Sequence, residues 1–201
     1  FDDRYRQAQA LRDRRQPFTF VLVGRFRESK GQEVAVRALA RVVGRFPDTR
    51  LLLVGGAGQT GDQSYFNHCR EVVDRPGVAD RVEFWGYVPD PERAFLAADV
   101  ALLCSPNEAM GRVTVEAMSS CRAVIGYDGG GTSELIDPGR TGLLYRGDAD
   151  ALADCMVRYI ESPETARDHG EAGWHLAKSR HTTETYARQV HEVIRRAANS
   201  E

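Results

Sequence analysis

Short apolar runs alternate with segments of helical periodicity along this chain, and that alternation leaves few architectures open. The runs are FTFVLV (18–23), RLLLV (50–54), VEFW (82–85), DVALL (99–103), AVI (123–125) and GLLY (142–145). They are rich in Val, Leu, Ile and Phe and lack strict polar alternation, as expected of strands covered on both faces. Between the first two, Ala35, Leu39, Val42 and Phe46 recur at three- and four-residue spacing, one face of a helix. Further helices are expected over 63–75, 91–98, 111–120 and 149–161, with two more after Ser162. This order predicts the α/β class: a single Rossmann-like domain with a parallel sheet of about six strands, helices on both faces and a helical C-terminal tail. At 201 residues and 42% hydrophobic composition the chain can bury one full core.

The charge pattern narrows the partners. Formal net charge is −2, with cations and acids mixed along most of the chain, so no broad field for nucleic acid or membrane is implied. Cys69, Cys104, Cys121 and Cys155 have no C-x-x-C spacing and mostly lie in apolar contexts, which suggests packed thiols in a reducing compartment. No apolar run approaches the roughly 18 to 20 residues that cross a bilayer, and no signal-peptide pattern opens the chain, so the expected location is cytoplasmic. Residues 1–16 read as a charged lead-in. A chain opening on Phe1 is expected to continue a longer one.

In an open parallel sheet, ligands collect beyond the carboxyl ends of the strands. The loops leaving those ends are GRFRESKG, GGAGQTGDQ, GYVPD, SPNEAMGR and GYDGGGTSE. In the first, Arg25 follows Gly24 and Lys30 precedes the next helix, so two cations can converge on the crevice. An arginine fork and a lysine point charge suit a diphosphate. Taken alone, a solvated loop with incidental basic residues accounts for them as well. In the fourth, a helix starting near Gly111 leaves the amides of Gly111, Arg112 and Val113 as first-turn donors for an anion. Glu108 and Glu116 flank this turn eight positions apart, and carboxylates can accept from vicinal sugar hydroxyls. The spacing carries little by itself, because Glu184 and Glu192 repeat it in the tail, where a solvated face suffices.

The ordered set GRFRESKG, RLLLVGGAG, RVEFWGYVPD and SPNEAMGRVTVEAMSSCRAVIGYDGGGTSELIDPGRTGLLY resembles the donor-binding half of a GT-B fold glycosyltransferase. More narrowly, it is similar to the retaining, family-4-type (group 1) enzymes, from about Phe18 to about Ile160. The resemblance implies that Arg25 and Lys30 contact the donor diphosphate, with Gly24 in the same turn, and that Gly111, Arg112 and Val113 meet it through backbone amides beside Met110. It implies that Glu108 contacts the transferred sugar and Glu116 the ribose, while Gly86, Tyr87 and Val88 match the segment that meets the base. Glu134 matches a family glutamate for which two roles stay open, contact with the donor and holding its loop. The implied donor is a UDP-, GDP- or ADP-sugar, with no metal or other cofactor. The implied layout is a nucleotide-sugar-binding domain over 17–180 and a C-terminal helix over 181–201, with an N-terminal acceptor-binding domain as the missing partner, through which alone a membrane would be met.

Two positions depart from that pattern. Met110 stands where the family usually has phenylalanine. Cys121 and Arg122 stand where glycine and proline are typical, which the backbone tolerates if Cys121 avoids positive φ. Competing readings are a non-catalytic nucleotide-sugar-binding module and an NAD-binding oxidoreductase domain, the latter from Gly56-x-Gly58-x-x-Gly61. That fingerprint belongs on the first βα turn, and here it follows the second strand. Asp148-Ala149-Asp150 mimics a metal-holding D-x-D, but Asp148 is better placed to cap a helix. Trp85 and Trp174 are expected to pack rather than to stack on a ligand.

Overall fold

The computed structural model describes residues 17–58, 62–74 and 77–198. The expected lead-in over 1–16 and Gly61 lie outside the described residues. Six strands, β1 (Thr19–Val23), β2 (Arg50–Val54), β3 (Val82–Gly86), β4 (Val100–Leu103), β5 (Ala123–Tyr127) and β6 (Gly142–Tyr145), form one sheet of order β3-β2-β1-β4-β5-β6. Every pairing is parallel, with Phe20 opposite both Leu51 and Val100. Chain order runs outward from β1 in one direction and then restarts at β4, so the sheet reverses between these neighbours.

The helices are α1 (Gln32–Val42), α2 (Gln63–Val73), α3 (Glu92–Leu96), α4 (Arg112–Ser119), α5 (Gly130–Leu135), α6 (Ala149–Glu161), α7 (Pro163–Arg180) and α8 (Thr183–Ala198). Strand side chains alternate between two cores, the period-two pattern of a sheet covered on both sides. Phe20, Leu22, Leu51, Leu53, Leu102 and Ile125 pack with α1, α2 and α6. Val21, Leu52, Val54, Ala101, Leu103 and Val124 pack with α3, α4 and α7.

Local chemistry sets several boundaries. Asp62 accepts from the amides of Ser64 and Tyr65 at the start of α2, and Asp148 accepts from those of Asp150 and Ala151 at the start of α6. Asp148 is thus a helix cap, and Asp150 pairs instead with Arg41 at 2.7 Å. Pro163 opens α7, where a missing N–H costs no helical bond. Trp174 is buried.

The structure corrects three expectations. α1 ends at Val42, so Phe46 packs on the same core from beyond the helix. α5 lies in a stretch read as loop, because Gly-Gly-Thr-Ser is a poor helix former by propensity. Cys121 does not avoid positive φ: it adopts φ 54°, the one positive-φ non-glycine residue among those described. Its N–H donates to Met118 O and that of Arg122 to Ala117 O, both at 3.0 Å. That pair of bonds closes a helix through a left-handed residue, usually glycine, and an L side chain there costs roughly 1–2 kcal/mol.

Candidate functional site

The strand-order reversal puts the loops after β1 and β4 side by side at the carboxyl end of the sheet. The first begins at Gly24, whose amide donates to Val54 O at 2.8 Å. Gln32, buried at the head of α1, donates Nε2 to Arg25 O at 3.0 Å and fixes the turn from below. A single 3-10 turn, Glu28–Lys30, then leads into Gly31 at φ 70°. A Cβ on Gly31 would lie 2.6 Å from Cys104 Cβ and 2.8 Å from Cys104 O. Only glycine fits, and Lys30 is thereby held against the exit of β4.

The second loop carries Glu108, and Lys30 Nζ donates to its Oε2 at 2.5 Å across 78 positions of sequence. Both side chains are about a quarter exposed (29% and 23%), so the pair is open to exchange of partners. Backbone packing fixes the loop that carries the carboxylate. The amide of Gly131 donates to Glu108 O at 2.6 Å. A Cβ on Gly130 would come within 2.6 Å of the same oxygen, one on Gly131 within 2.8 Å of Ala109 O, and one on Gly129 within 2.9 Å of Pro106 O. The three glycines therefore let α5 lie directly beneath the glutamate loop.

Gly111 follows, at φ 62°, as the uncapped N-terminus of α4. The amides of Thr114 and Val115 bond back to Gly111 O, so those of Gly111, Arg112 and Val113 precede the first bond of the ladder. They form the positive end of the helix dipole. Lys30, Glu108, Gly111 and Val113 line one recess of about 20 Å³ together with Thr132. Cys104 lies in its wall, where burial pushes its thiol up to about 12.

Of the residues singled out from sequence, Gly24, Lys30, Glu108, Gly111 and Val113 gather around the reversal point. Arg25 and Arg112 are exposed at its rim, as are Met110 (75%) and Glu134. Glu116 is half-buried on the second turn of α4. Tyr87, 76% exposed, belongs to the rim beyond β3, beside Gly56. Gln32 and Thr132 were not legible as site residues. Both are buried, and Thr132 Oγ1 has no hydrogen-bond partner among the described residues. Their only signal was adjacency to Gly31 and Gly131. The loop with Gly56 and Gly58 leaves β2, not the first strand. No group of three His, Cys, Asp or Glu residues able to hold a metal occurs among the described residues.

Comparisons with known proteins bear on the family and the fold. Residues 17–162 match the pattern of the family described as glycosyl transferases group 1. The chain is 32% identical over 195 residues to the phosphatidyl-myo-inositol mannosyltransferase of Mycobacterium tuberculosis, covering 92% of this chain and 49% of that protein. Among solved structures it resembles HepE of Anabaena in complex with UDP and glucose, with TM-score 0.82 and 28% identity over 96% of this chain and 52% of the other. The fold is also that of the C-terminal domain of the group 1 protein LpcC from Francisella tularensis, with TM-score 0.76 and 22% identity, covering 91% of this chain and 95% of the other. The chain spans half or less of the length of the curated relatives it matches, 34% to 49%.

Proposed function

The chain belongs to the group 1 glycosyl transferases, and we propose that it is the donor-binding half of a retaining, hexosyl-type enzyme using a nucleotide-diphosphate sugar. The observation that carries this reading is the meeting of Lys30 and Glu108 at the strand-order reversal, beside the uncapped start of α4. A diphosphate needs positive charge along its length. Arg25 and Lys30 supply two cations, and the amides of Gly111, Arg112 and Val113 supply preorganised donors at a helix N-terminus. These groups would stabilise the departing diphosphate as the sugar passes through an oxocarbenium-like state, without a bound metal. One such preorganised donor is worth about 3 kcal/mol.

Without donor, Glu108 neutralises Lys30. When the diphosphate takes Lys30, the carboxylate is freed to orient the sugar. Glu116 would accept from the ribose hydroxyls. The rim at Gly86, Tyr87 and Val88 would meet the base, and Glu134 would steady the α5 end of the cradle. HepE, solved with UDP and glucose, makes UDP the first nucleotide to test.

The acceptor would be held by a second half that completes the cleft. Tyr186, Val193 and Ile194 stand more than 60% exposed along α8, and this apolar stripe is a face for that half. Among the described residues no helix is long and apolar enough to cross a membrane. The four described cysteines are free and buried, which suits a reducing cytoplasm.

Calorimetric titration with UDP, GDP, ADP and NAD, with and without EDTA, tests the reading. Binding of one nucleoside diphosphate, indifferent to chelation, is expected; tighter binding of NAD, or binding lost with EDTA, overturns it. Arg25→Ala and Lys30→Ala should each weaken that binding about tenfold or more, the scale of a lost charged hydrogen bond, with little change in Tm. Glu116→Ala should erase discrimination between ribose and 2′-deoxyribose nucleotides, and equal losses on both would refute its role.

A further inference from the structure

The chain has seven sulfur atoms, in four cysteines and three methionines. Six of them are buried: those of Cys69, Cys104, Cys121 and Cys155, and those of Met118 and Met156, two side chains with no exposure at all. Met110 is 75% exposed, so an oxidant dissolved in water meets one sulfur on this protein. Burial also pushes the thiol of Cys69 up to about 11 and that of Cys104 up to about 12, which withholds the thiolate that peroxides attack. A thioether has no such protection, because it reacts without giving up a proton.

The exposure of Met110 is imposed by the backbone on either side of it. Before it, the Gly131 amide donates to Glu108 O at 2.6 Å, and a Cβ on Gly131 would lie 2.8 Å from Ala109 O. After it, Gly111 takes φ 62°, and a Cβ there would lie 2.6 Å from Leu135 Cδ1. With the loop seated on α5 at Ala109 and Gly111, the side chain between them cannot withdraw into a core unless that backbone moves. Met110 stands one residue ahead of the amides of Gly111, Arg112 and Val113, which precede the first bond of the α4 ladder. It stands two residues after Glu108, the partner of Lys30.

We propose that Met110 is an oxidation site, at which conversion to the sulfoxide weakens nucleotide binding in the donor recess. The coupling rests on the donor-site reading above; the site of oxidation does not. A peroxide transfers one oxygen atom: its O–O bond breaks, an S–O bond forms, the sulfur gives up two electrons, and the remainder of the peroxide leaves as water or an alcohol. An apolar, flexible side chain thereby becomes polar and gains an acceptor oxygen. That oxygen competes with a diphosphate for the α4 amides, since the positive end of a helix favours an acceptor of either kind. A second half closing over the cleft does not end the exposure, because the route by which a nucleotide enters admits a peroxide as well.

The test treats the 201-residue chain with hydrogen peroxide and reads mass, nucleotide affinity and Tm on the same samples. Peptide mass spectrometry should place the first oxygen on Met110, with Met118 and Met156 oxidised only after unfolding in urea. The reduced chain first selects its nucleoside diphosphate from UDP, GDP and ADP by calorimetry. The singly oxidised chain should bind that nucleotide about fivefold more weakly, the scale of one competing hydrogen bond, with Tm unmoved. Methionine sulfoxide reductases for both epimers, with dithiothreitol as the reductant, should restore the affinity. In Met110→Leu, treated and untreated samples should bind alike. First oxidation at a cysteine or at another methionine, full affinity in the sulfoxide form, or a peroxide-dependent loss that persists in Met110→Leu would each overturn the proposal. A reduced chain that binds none of the three nucleotides would overturn the donor-site reading and the coupling with it, and the mass spectra would then decide the oxidation site alone.

Discussion

The carboxyl end of the sheet is closed by backbone lying on backbone, the amino end by side chains around a cavity. At the first, Gly31 abuts Cys104, and Gly129, Gly130 and Gly131 abut Pro106, Glu108 and Ala109, each with no room for a methyl group. At the second, Arg93, Arg122 and Arg167 line a cavity of about 490 Å³ among the described residues. Contact between backbones fixes a functional group to within tenths of an ångström but admits only glycine. Closure by side chains leaves room for substitution, and Arg122 is an instance of it.

The largest effect should come from breaking the glycine-built end. Gly130→Ala places a Cβ 2.6 Å from Glu108 O at φ 54°. Left-handed strain and overpacking together should cost about 3 kcal/mol, read by urea denaturation, and nucleotide affinity should fall with it because Glu108 moves. Loss of neither would show that α5 does not hold the glutamate loop.

A smaller effect tests the tolerant end. Cys121→Gly relieves the left-handed strain and Cys121→Ala keeps it, while both remove the buried thiol. The glycine variant should therefore be more stable than the alanine variant by about 1 kcal/mol. Equal stabilities would mean that the turn relaxes out of positive φ.

The smallest effect concerns Cys104, packed under Gly31. Burial raises its thiol from 9.0 to about 12, so the folded chain keeps a proton that the unfolded chain gives up. Its contribution to stability is complete below pH 9 and declines as pH rises from there toward 12. In the native chain at pH 8, Cys104 should resist iodoacetamide and react only after unfolding, as peptide mass spectrometry would show.

The strands were legible because each is a local run of residues fit for a buried sheet, and all six were located to within about two residues at either end. The capping role of Asp148 was legible for the same reason: its partners, Asp150 and Ala151, are two and three positions away. α5 was not, because its propensity is poor and its conformation depends on Glu108 O, more than twenty positions upstream. Cys121 was misjudged since a left-handed helix closure is normally signalled by glycine, and this chain omits the signal.

The sequence by itself determined the α/β class, the order along the chain of the strands and of every helix but α5, and the loops in which cations, carboxylates and glycines collect. These follow from periodicity and turn chemistry, which act between near neighbours. Only the tertiary structure decided that Lys30 meets Glu108, that three glycines bear on the glutamate loop, and that three arginines gather at the opposite end. Each of those depends on β1 lying beside β4 and β4 beside β5, and strand order in space is set by how helices cover both faces of the sheet, a property of the whole core.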